Sequence, residues 1–215
     1  MSKSETVRFR TIKPEIRVLG IDDGNFVPRE EGLVDLIGVV YRGGYWLEGV
    51  MRTEIEVDGM DATEKIATMV RASPHYNQLR VIMLDGITFA GFNIVDITEL
   101  FQKVKLPVIA IVREKPNLEE IRKALENLPE PEKRWAAVKN AGKLSKVRTR
   151  GAEGTVYMQT AGISQVDAET IVRNTSLRSN IPEALRVAHI IASGFAKSKE
   201  RFKRENLKGK GTRAR

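Results

Sequence analysis

The order of strand-like and helix-like segments constrains the fold of this chain more than any other feature. Three segments rich in apolar and β-branched residues come first, and Arg42-Gly43-Gly44 between the second and third is a hairpin turn signal. Three consecutive antiparallel strands are the simplest structure for this part of the chain. The predicted strands are Ile16–Ile21, Leu33–Tyr41 and Tyr45–Val57.

Helical and strand patterns alternate in the rest of the sequence. A parallel continuation of the sheet needs right-handed crossovers through the helices. This is the ribonuclease H-like order, an α/β fold with a mixed five-stranded sheet and helices on both faces. The predicted segments are a helix that begins at Asp61, a strand Val81–Leu84, a helix Asp96–Val104, a strand Pro107–Val112, a helix Leu118–Leu128, a strand Thr155–Thr160, and helices Ala168–Arg173 and Pro182–Phe195.

Length and composition fit one domain over residues 1–196, followed by a basic tail over residues 197–215. The chain has 215 residues, of which 41% are hydrophobic, enough for a packed core. Its longest apolar runs are only strand-length, whereas a membrane helix needs roughly 18–20 apolar residues. No charged-then-apolar leader precedes the first strand. We therefore expect a cytoplasmic protein without a membrane segment.

The positive charge is concentrated in two segments. The formal net charge is +8, yet Lys197–Arg215 holds nine basic and two acidic residues, and Lys133–Arg150 holds seven basic residues and no acid. The remainder of the chain is therefore acidic. Two basic segments on an acidic body fit a nucleic-acid partner, DNA or RNA, although solvated charge on a tail and a loop explains them equally well.

Two aspartates end predicted strands that lie side by side in this topology. Asp22 ends the first strand and Asp85 the fourth, so their carboxyl groups should meet at one rim of the sheet, within roughly 4–6 Å of each other. Paired carboxylates repel unless a cation neutralises them. The chain has no cysteine and two histidines, which leaves oxygen ligands and favours Mg²⁺ or Mn²⁺. Asp-Gly pairs are also common turn residues.

A third acid is expected where the first crossover helix begins. Asp61 ranks first and Asp58 second, with Glu64 also in reach, although Asp61 and Glu64 can instead form the capping box of that helix. Arg113 ends the fifth strand, where a basic group can stabilise charge on a phosphate or simply pair with an acid. His189, on an apolar helix face, is expected to be a buried core histidine.

Four motifs together resemble the archaeal endonuclease dU family, a family related to endonuclease V. The resemblance runs over roughly residues 16–195. The motifs are VLGIDDG (Val18–Gly24), VDGMDAT (Val57–Thr63), MLDGITFAGFNIVD (Met83–Asp96) and LPVIAIVREKPN (Leu106–Asn117).

The resemblance implies a ribonuclease H-like fold and Mg²⁺-dependent cleavage of DNA or RNA near deaminated bases. It matches Asp22 and Asp85 to metal-binding aspartates. Arg113 takes the place of a catalytic lysine, and Asp61 or Asp58 takes that of a glutamate. We therefore expect a metal-dependent nuclease that acts on deaminated or modified nucleic acid. The alternatives are a non-catalytic nucleic-acid- or nucleotide-binding protein on the same fold, and an enzyme that acts on a small phosphorylated substrate.

Overall fold

The computed structural model describes residues 6–26, 31–149 and 154–196. Within these residues the strands form a seven-stranded sheet and a small separate hairpin. The strands are β1 (Arg17–Asp23), β2 (Leu33–Arg42), β3 (Trp46–Glu56), β4 (Val81–Asp85), β5 (Thr88–Phe89), β6 (Asn93–Ile94), β7 (Val108–Val112), β8 (Ser145–Arg148) and β9 (Thr155–Ala161). The helices are α1 (Ala62–Arg71), α2 (Ile97–Val104), α3 (Leu118–Leu125), α4 (Pro131–Asn140), α5 (Gln165–Thr175) and α6 (residues 183–196).

The large sheet has the order β3-β2-β1-β4-β7-β9-β8. Its first three strands in sequence are antiparallel neighbours, whereas β1, β4 and β7 run parallel, as the segment order predicts. The predicted count of five strands is wrong, because β9 and β8 extend the sheet beyond β7 as antiparallel neighbours. The mixed α/β architecture with a large mixed sheet is confirmed.

Helices cover both faces of the sheet. One apolar core lies between the sheet and the helices α1 and α2, with Ile66 and Leu100 among its fully buried residues. The second core lies between the opposite face and the helices α5 and α6, with Ile171 and Leu185 buried in it. Alternation along each strand supplies side chains to both cores. The two-layer covering predicted from the sequence is therefore present.

Of the two basic segments predicted at residues 133–150 and 197–215, the structure describes nearly all of the first and none of the second. The first, as far as residue 149, contains most of α4 and all of β8, so this part of it belongs to the folded body. The second lies outside the described residues. Across the described ranges, no helix combines the length and the apolar character that crossing a membrane would require.

Candidate functional site

The two predicted carboxylates lie together at one end of the sheet. β1 and β4 are parallel neighbours, and their register aligns Val18 with Val81. Asp22 lies four residues after Val18, and Asp85 lies four residues after Val81. Because side chains alternate along a strand, both aspartates face the same side as the valines, toward the core under α5 and α6.

A histidine from α6 joins the two aspartates. His189 Nδ1 lies 2.8 Å from Asp22 Oδ2. One possible ligand atom from each of Asp22, Asp85 and His189 lies within 4.8 Å of the other two. Among the described residues, this is the only group of three or more acidic or histidine side chains close enough to share a metal ion. The expected separation of Asp22 and Asp85 is confirmed. We call these three residues the carboxylate–histidine cluster.

α6 reaches the cluster because it lies directly on β1. A Cβ atom added at Gly20 would lie 2.4 Å from the carbonyl carbon of Ala184, so only a glycine permits this approach. At Gly24 an added Cβ would lie 3.4 Å from the carbonyl oxygen of Ala192. The order of these two contacts shows that helix and strand run side by side in the same direction.

This packing places His189 over Asp22. Gly20 and Ala184 are in contact. His189 lies five helical residues beyond Ala184, an advance of about 7.5 Å, and Asp22 lies two strand residues beyond Gly20, an advance of about 6.6 Å. The expectation of a buried core histidine is wrong, because the neighbouring Ala188 takes the buried position and the His189 side chain is 55% exposed. Helical periodicity alone could not reveal this, since it does not specify which strand the helix covers.

Burial and neighbouring charges make Asp22 unusually easy to protonate. Its side chain is 7% exposed. Burial, followed by the charges of Asp85 and Asp23, raises the pKa of Asp22 from 3.8 to about 8. Burial also raises the pKa values of Asp85 and Asp23. A cation that binds these carboxylates must displace the protons they hold, so its affinity should rise with pH.

Arg113 lies beside the cluster, directly after β7. Its guanidinium Nη1 is 3.8 Å from Asp85 Oδ2, and its side chain is 57% exposed. The spacing corresponds to a loose ion pair that leaves most of the guanidinium accessible. Both roles considered for this residue, pairing with an acid and contacting a phosphate, are compatible with this position.

Comparison with known proteins identifies the family. The family model described as endonuclease dU matches residues 14–196, which is most of the chain. The chain belongs to the endonuclease dU family. A UPF0215 protein of Methanothermobacter thermautotrophicus is 52% identical over 92% of this chain and 96% of its own length. One from Pyrococcus furiosus is 44% identical over 86% of this chain and 94% of its own length.

Solved structures extend the comparison to the fold of endonuclease V. A protein of unknown function from Archaeoglobus fulgidus has a TM-score of 0.75 and 40% identity, over 84% of this chain and 98% of its own. Endonuclease V from Ciona intestinalis, solved with inosine-containing DNA, has a TM-score of 0.58 and 13% identity, over 85% of this chain and 86% of its own. Human ENDOV gives a TM-score of 0.57 and 12% identity, over 92% and 93%. The last two likenesses show a shared fold.

In this member of the endonuclease dU family, the predicted third acids lie in a separate network. Asp61 Oδ1 accepts a hydrogen bond from Asn93 Nδ2 at 2.6 Å, and Asp58 Oδ1 accepts one from the backbone N–H of Phe92 at 2.8 Å. Glu64 pairs instead with Lys103 at 2.8 Å. None of these three acids is among the atoms of the carboxylate–histidine cluster.

The capping box expected at the start of α1 does not form. Asn93 Oδ1 accepts the hydrogen bond from the Ala62 N–H at 3.0 Å, and Asp61 makes no side-chain cap. Asn93 is fully buried, and its amide also donates to the Glu56 carbonyl. A loop residue distant in sequence therefore caps this helix and takes the position that the local pattern assigned to Asp61.

Arg134 holds the same region together from inside the protein. It is 3% exposed, and its guanidinium donates to the carbonyl oxygens of Pro129, Gly59, Phe92 and Asp58 at 2.7–2.8 Å. This arginine belongs to the basic segment predicted to contact nucleic acid. Because all of these donors point to backbone carbonyls, it serves the fold rather than a ligand.

The neighbouring aspartates Asp22 and Asp23 have different partners. Alternation along β1 directs Asp23 to the opposite face, where its Oδ2 accepts a hydrogen bond from the Ala90 N–H. Ala90 has a φ of 43°, a conformation that non-glycine residues rarely adopt. Its carbonyl accepts from the Asp58 N–H at 2.8 Å, so the loop after β4 is held on both sides.

A cavity of about 260 Å³ begins directly after Asp85. Its surface is mainly apolar, and the exposed side chains of Lys115 and Lys143 also line it. Gly86 to Thr88 directly follow Asp85 in the chain, and the lining residue Ala110 belongs to the core under α1 and α2, so the cavity lies on the face of the sheet opposite the carboxylate–histidine cluster. Other lining residues are Leu118, Ile121, Val138 and Gln159.

Proposed function

We propose that this protein is a Mg²⁺- or Mn²⁺-dependent endonuclease that cleaves nucleic acid containing a deaminated or otherwise modified base. The observation that carries the proposal is the carboxylate–histidine cluster at the ends of the two parallel strands. Membership of the endonuclease dU family and the shared fold with endonuclease V support it. Such an activity would suit DNA repair.

The residues of the cluster fit a divalent cation. Two oxygens at about 2.1 Å from one ion can be at most about 4.2 Å apart, so donors within 4.8 Å of one another need only small movements. The pKa of Asp22 is raised first by burial and then by the charges of Asp85 and Asp23, and a bound cation would offset all three effects. Carboxylate ligands suit Mg²⁺, and an added imidazole favours Mn²⁺.

Each neighbouring side chain has a chemical role in this proposal. A cation held by Asp22, Asp85 and His189 would supply Lewis-acid activation of water and stabilise charge on the leaving oxygen. In that state His189 Nδ1, which contacts Asp22 at 2.8 Å, would bind the cation instead, and Nε2 would carry the ring proton on the exposed side as a hydrogen-bond donor. Arg113 would bind the scissile phosphate through its accessible guanidinium, without acting as a proton donor.

The cavity after Asp85 supports a modified base as the recognised feature. An enzyme that acts beside a base commonly extrudes that nucleotide from the stack into a pocket. The apolar wall and the nearby Lys115 and Lys143 suit a flat ring attached to a phosphodiester backbone. Gly86 lines the cavity and directly follows Asp85, so a base bound there would lie at a fixed distance from the bond that is cut.

The test uses oligonucleotides that contain uracil, inosine or a single ribonucleotide, with unmodified controls, in Mg²⁺ or Mn²⁺. We expect cleavage of at least one modified substrate, loss of cleavage in chelator, and at least a hundredfold lower rate for Asp85→Asn, as when charge stabilisation is removed from a catalytic centre. Nucleic-acid binding by Asp85→Asn should persist, which separates it from a misfolded variant.

Three results would contradict the proposal. Binding of nucleic acid without cleavage of any substrate, in either metal, would identify a non-catalytic binding protein. Equal cleavage by the wild type and Asp85→Asn would point to a contaminating nuclease. Turnover of a small phosphorylated compound with no activity on oligonucleotides would favour the third alternative.

A further inference from the structure

The opposite rim of the sheet carries a groove with a chemical character of its own. Residues 6–15 cross this rim, where the parallel strands begin. The Val7 N–H donates to the Gly162 carbonyl at 2.9 Å, and Val7 pairs with Ile163 next to the end of β9. Phe9 and Ile12 pack against the core under α5 and α6, which fixes this segment to the body.

Two adjoining clefts make up the groove. Their volumes are about 420 and 480 Å³, and both are lined by Phe9, Thr11, Lys13 and Arg80. The sharing of these four residues makes the clefts one continuous surface, which we call the basal groove. It lies about 20 Å from the carboxylate–histidine cluster, given the rise of about 3.3 Å per residue along strands of five to seven residues.

Four of the cations that line the basal groove lack acidic partners among the described residues, whereas Arg17 pairs with Glu48. Arg8, Arg10, Lys13 and Arg80 are exposed, and none of them forms an ion pair with any described residue. Glu15 is the acid among the lining residues. Arginines elsewhere on the protein, such as Arg52 and Arg173, are paired with carboxylates.

We propose that the basal groove binds the phosphodiester backbone of nucleic acid, at a place separate from the cleavage site. Clustered cations in a concave surface focus a positive potential, which a polyanion neutralises with release of its counterions. The extended shape of the groove suits a chain of phosphates better than a single anion. The inference goes beyond the proposed function, because it does not require that the protein cleaves what it binds.

The experiment compares two double variants in which the same number of exposed cations is removed. Lys13→Gln/Arg80→Gln removes two cations that line both clefts. Lys65→Gln/Lys123→Gln removes two exposed cations on α1 and α3 that form no described ion pair. Affinity for an unmodified duplex is measured in chelator over a range of salt concentrations, so that cleavage cannot contribute. The melting temperature of each variant checks that the fold is intact.

We expect the groove variant to reduce the slope of log affinity against log salt by up to about 1.8, because each phosphate that a cation neutralises contributes about 0.9 to that slope. The control variant should keep the wild-type slope. Equal slopes in all three proteins, or equal reductions in both variants, would overturn the inference. So would tight binding of inorganic tripolyphosphate that duplex fails to displace, since the groove would then be a small-anion site.

A cleavage assay separates this inference from the proposed function. With protein in excess over a short modified substrate, the groove variant should cleave at the wild-type rate, because both substituted residues are distant from the cluster. A protein that never cleaves but loses salt dependence with the groove variant would retain the basal groove and refute only the nuclease. A groove variant that binds normally but cleaves slowly would overturn a separate binding role for the basal groove.

Discussion

Asp22 makes the stability of the metal-free protein depend on pH in an unusual direction. Its pKa is about 8 in the folded protein, against 3.8 without the fold. Between about pH 4 and pH 8 the folded state therefore holds a proton that the unfolded state has released. Stability should fall as pH rises through this window, by at most about 1.4 kcal/mol per pH unit, and level off above it.

The neighbours of Asp22 act in a predictable way on this slope. The pKa values of Asp23 and Asp85 are also raised, so they contribute in the same direction, although the charges of Arg113 and His189 act against the shift of Asp85. Asp22→Asn should flatten the slope, because the titrating group is removed. Urea unfolding in chelator from about pH 4 to about pH 9, a range that covers the shift of the Asp22 pKa from 3.8 to about 8, measures both proteins. Stability that rises with pH across this window would contradict the prediction.

The residues of the candidate site differ in how far the sequence could predict them. Asp22 and Asp85 follow fully apolar runs, and the position of a strand end is visible in such runs. Asp58 and Asp61 occupy an equally suggestive place, yet their oxygens bind Phe92 and Asn93, more than thirty residues later in the chain. Partners at that distance cannot be inferred from local spacing, so their assignment to the metal stays a prediction.

Among the elements, the contact between β1 and α6 has the most influence on the site. Gly20→Ala would place a Cβ atom 2.4 Å from the backbone of α6, a distance that requires the helix to shift. We expect a loss of about 1–3 kcal/mol in the free energy of unfolding, as for overpacked cores. Because His189 lies on the displaced helix, the affinity for Mn²⁺ should fall as well.

Gly194 provides the matched control on the same helix. It is exposed, and an added Cβ there would meet no atom within 4 Å. Gly194→Ala should raise stability by about 0.5–1 kcal/mol through helix propensity and leave Mn²⁺ affinity unchanged. Denaturant unfolding and metal titration of both variants test the contact. Unchanged metal affinity in Gly20→Ala would show that the position of α6 does not set the site.

Element by element, the apolar content of a segment decided whether it could be predicted. The central strands bury nearly all of their residues, so β4 and β7 are recognisable as short apolar runs. β8 buries Val147 alone among its four residues and lies in a basic segment, so its sequence resembles a loop. It becomes a strand because β9 offers an unpaired edge. Such tertiary pairing leaves no local pattern.

At the scale of the whole molecule, the two rims of the sheet carry opposite charge. Acidic groups collect where the parallel strands end, and unpaired cations collect where they begin. The sequence predicted the acidic rim, because its residues lie at strand ends. It did not predict the basic rim, because Arg8 and Arg80 meet there only after residues 6–15 fold across the sheet. Positive charge was expected instead from two contiguous basic segments.

A divalent cation should stabilise the whole fold, because its proposed ligands join β1, β4 and α6. Binding to the native state alone adds RT ln(1 + [M]/Kd), which is about 2.7 kcal/mol at a hundredfold excess over Kd. We expect Mn²⁺ to raise the melting temperature of the wild type, and the increase to be larger at pH 8 than at about pH 6, because protons compete for Asp22. Thermal unfolding with increasing Mn²⁺ measures this.

Substitutions in the same assay determine which third residue holds the cation. His189→Gln removes a proposed ligand from an exposed position, so the fold should survive while most of the Mn²⁺-dependent increase is lost. Asp61→Asn keeps an oxygen that can accept from Asn93, so the wild-type increase should remain. The opposite result, loss with Asp61→Asn and retention with His189→Gln, would mean that Asp61 moves to the metal when it binds. The cation would then be held by carboxylates from β1, β4 and the start of α1, as the spacing of the sequence suggested, and not by the carboxylate–histidine cluster.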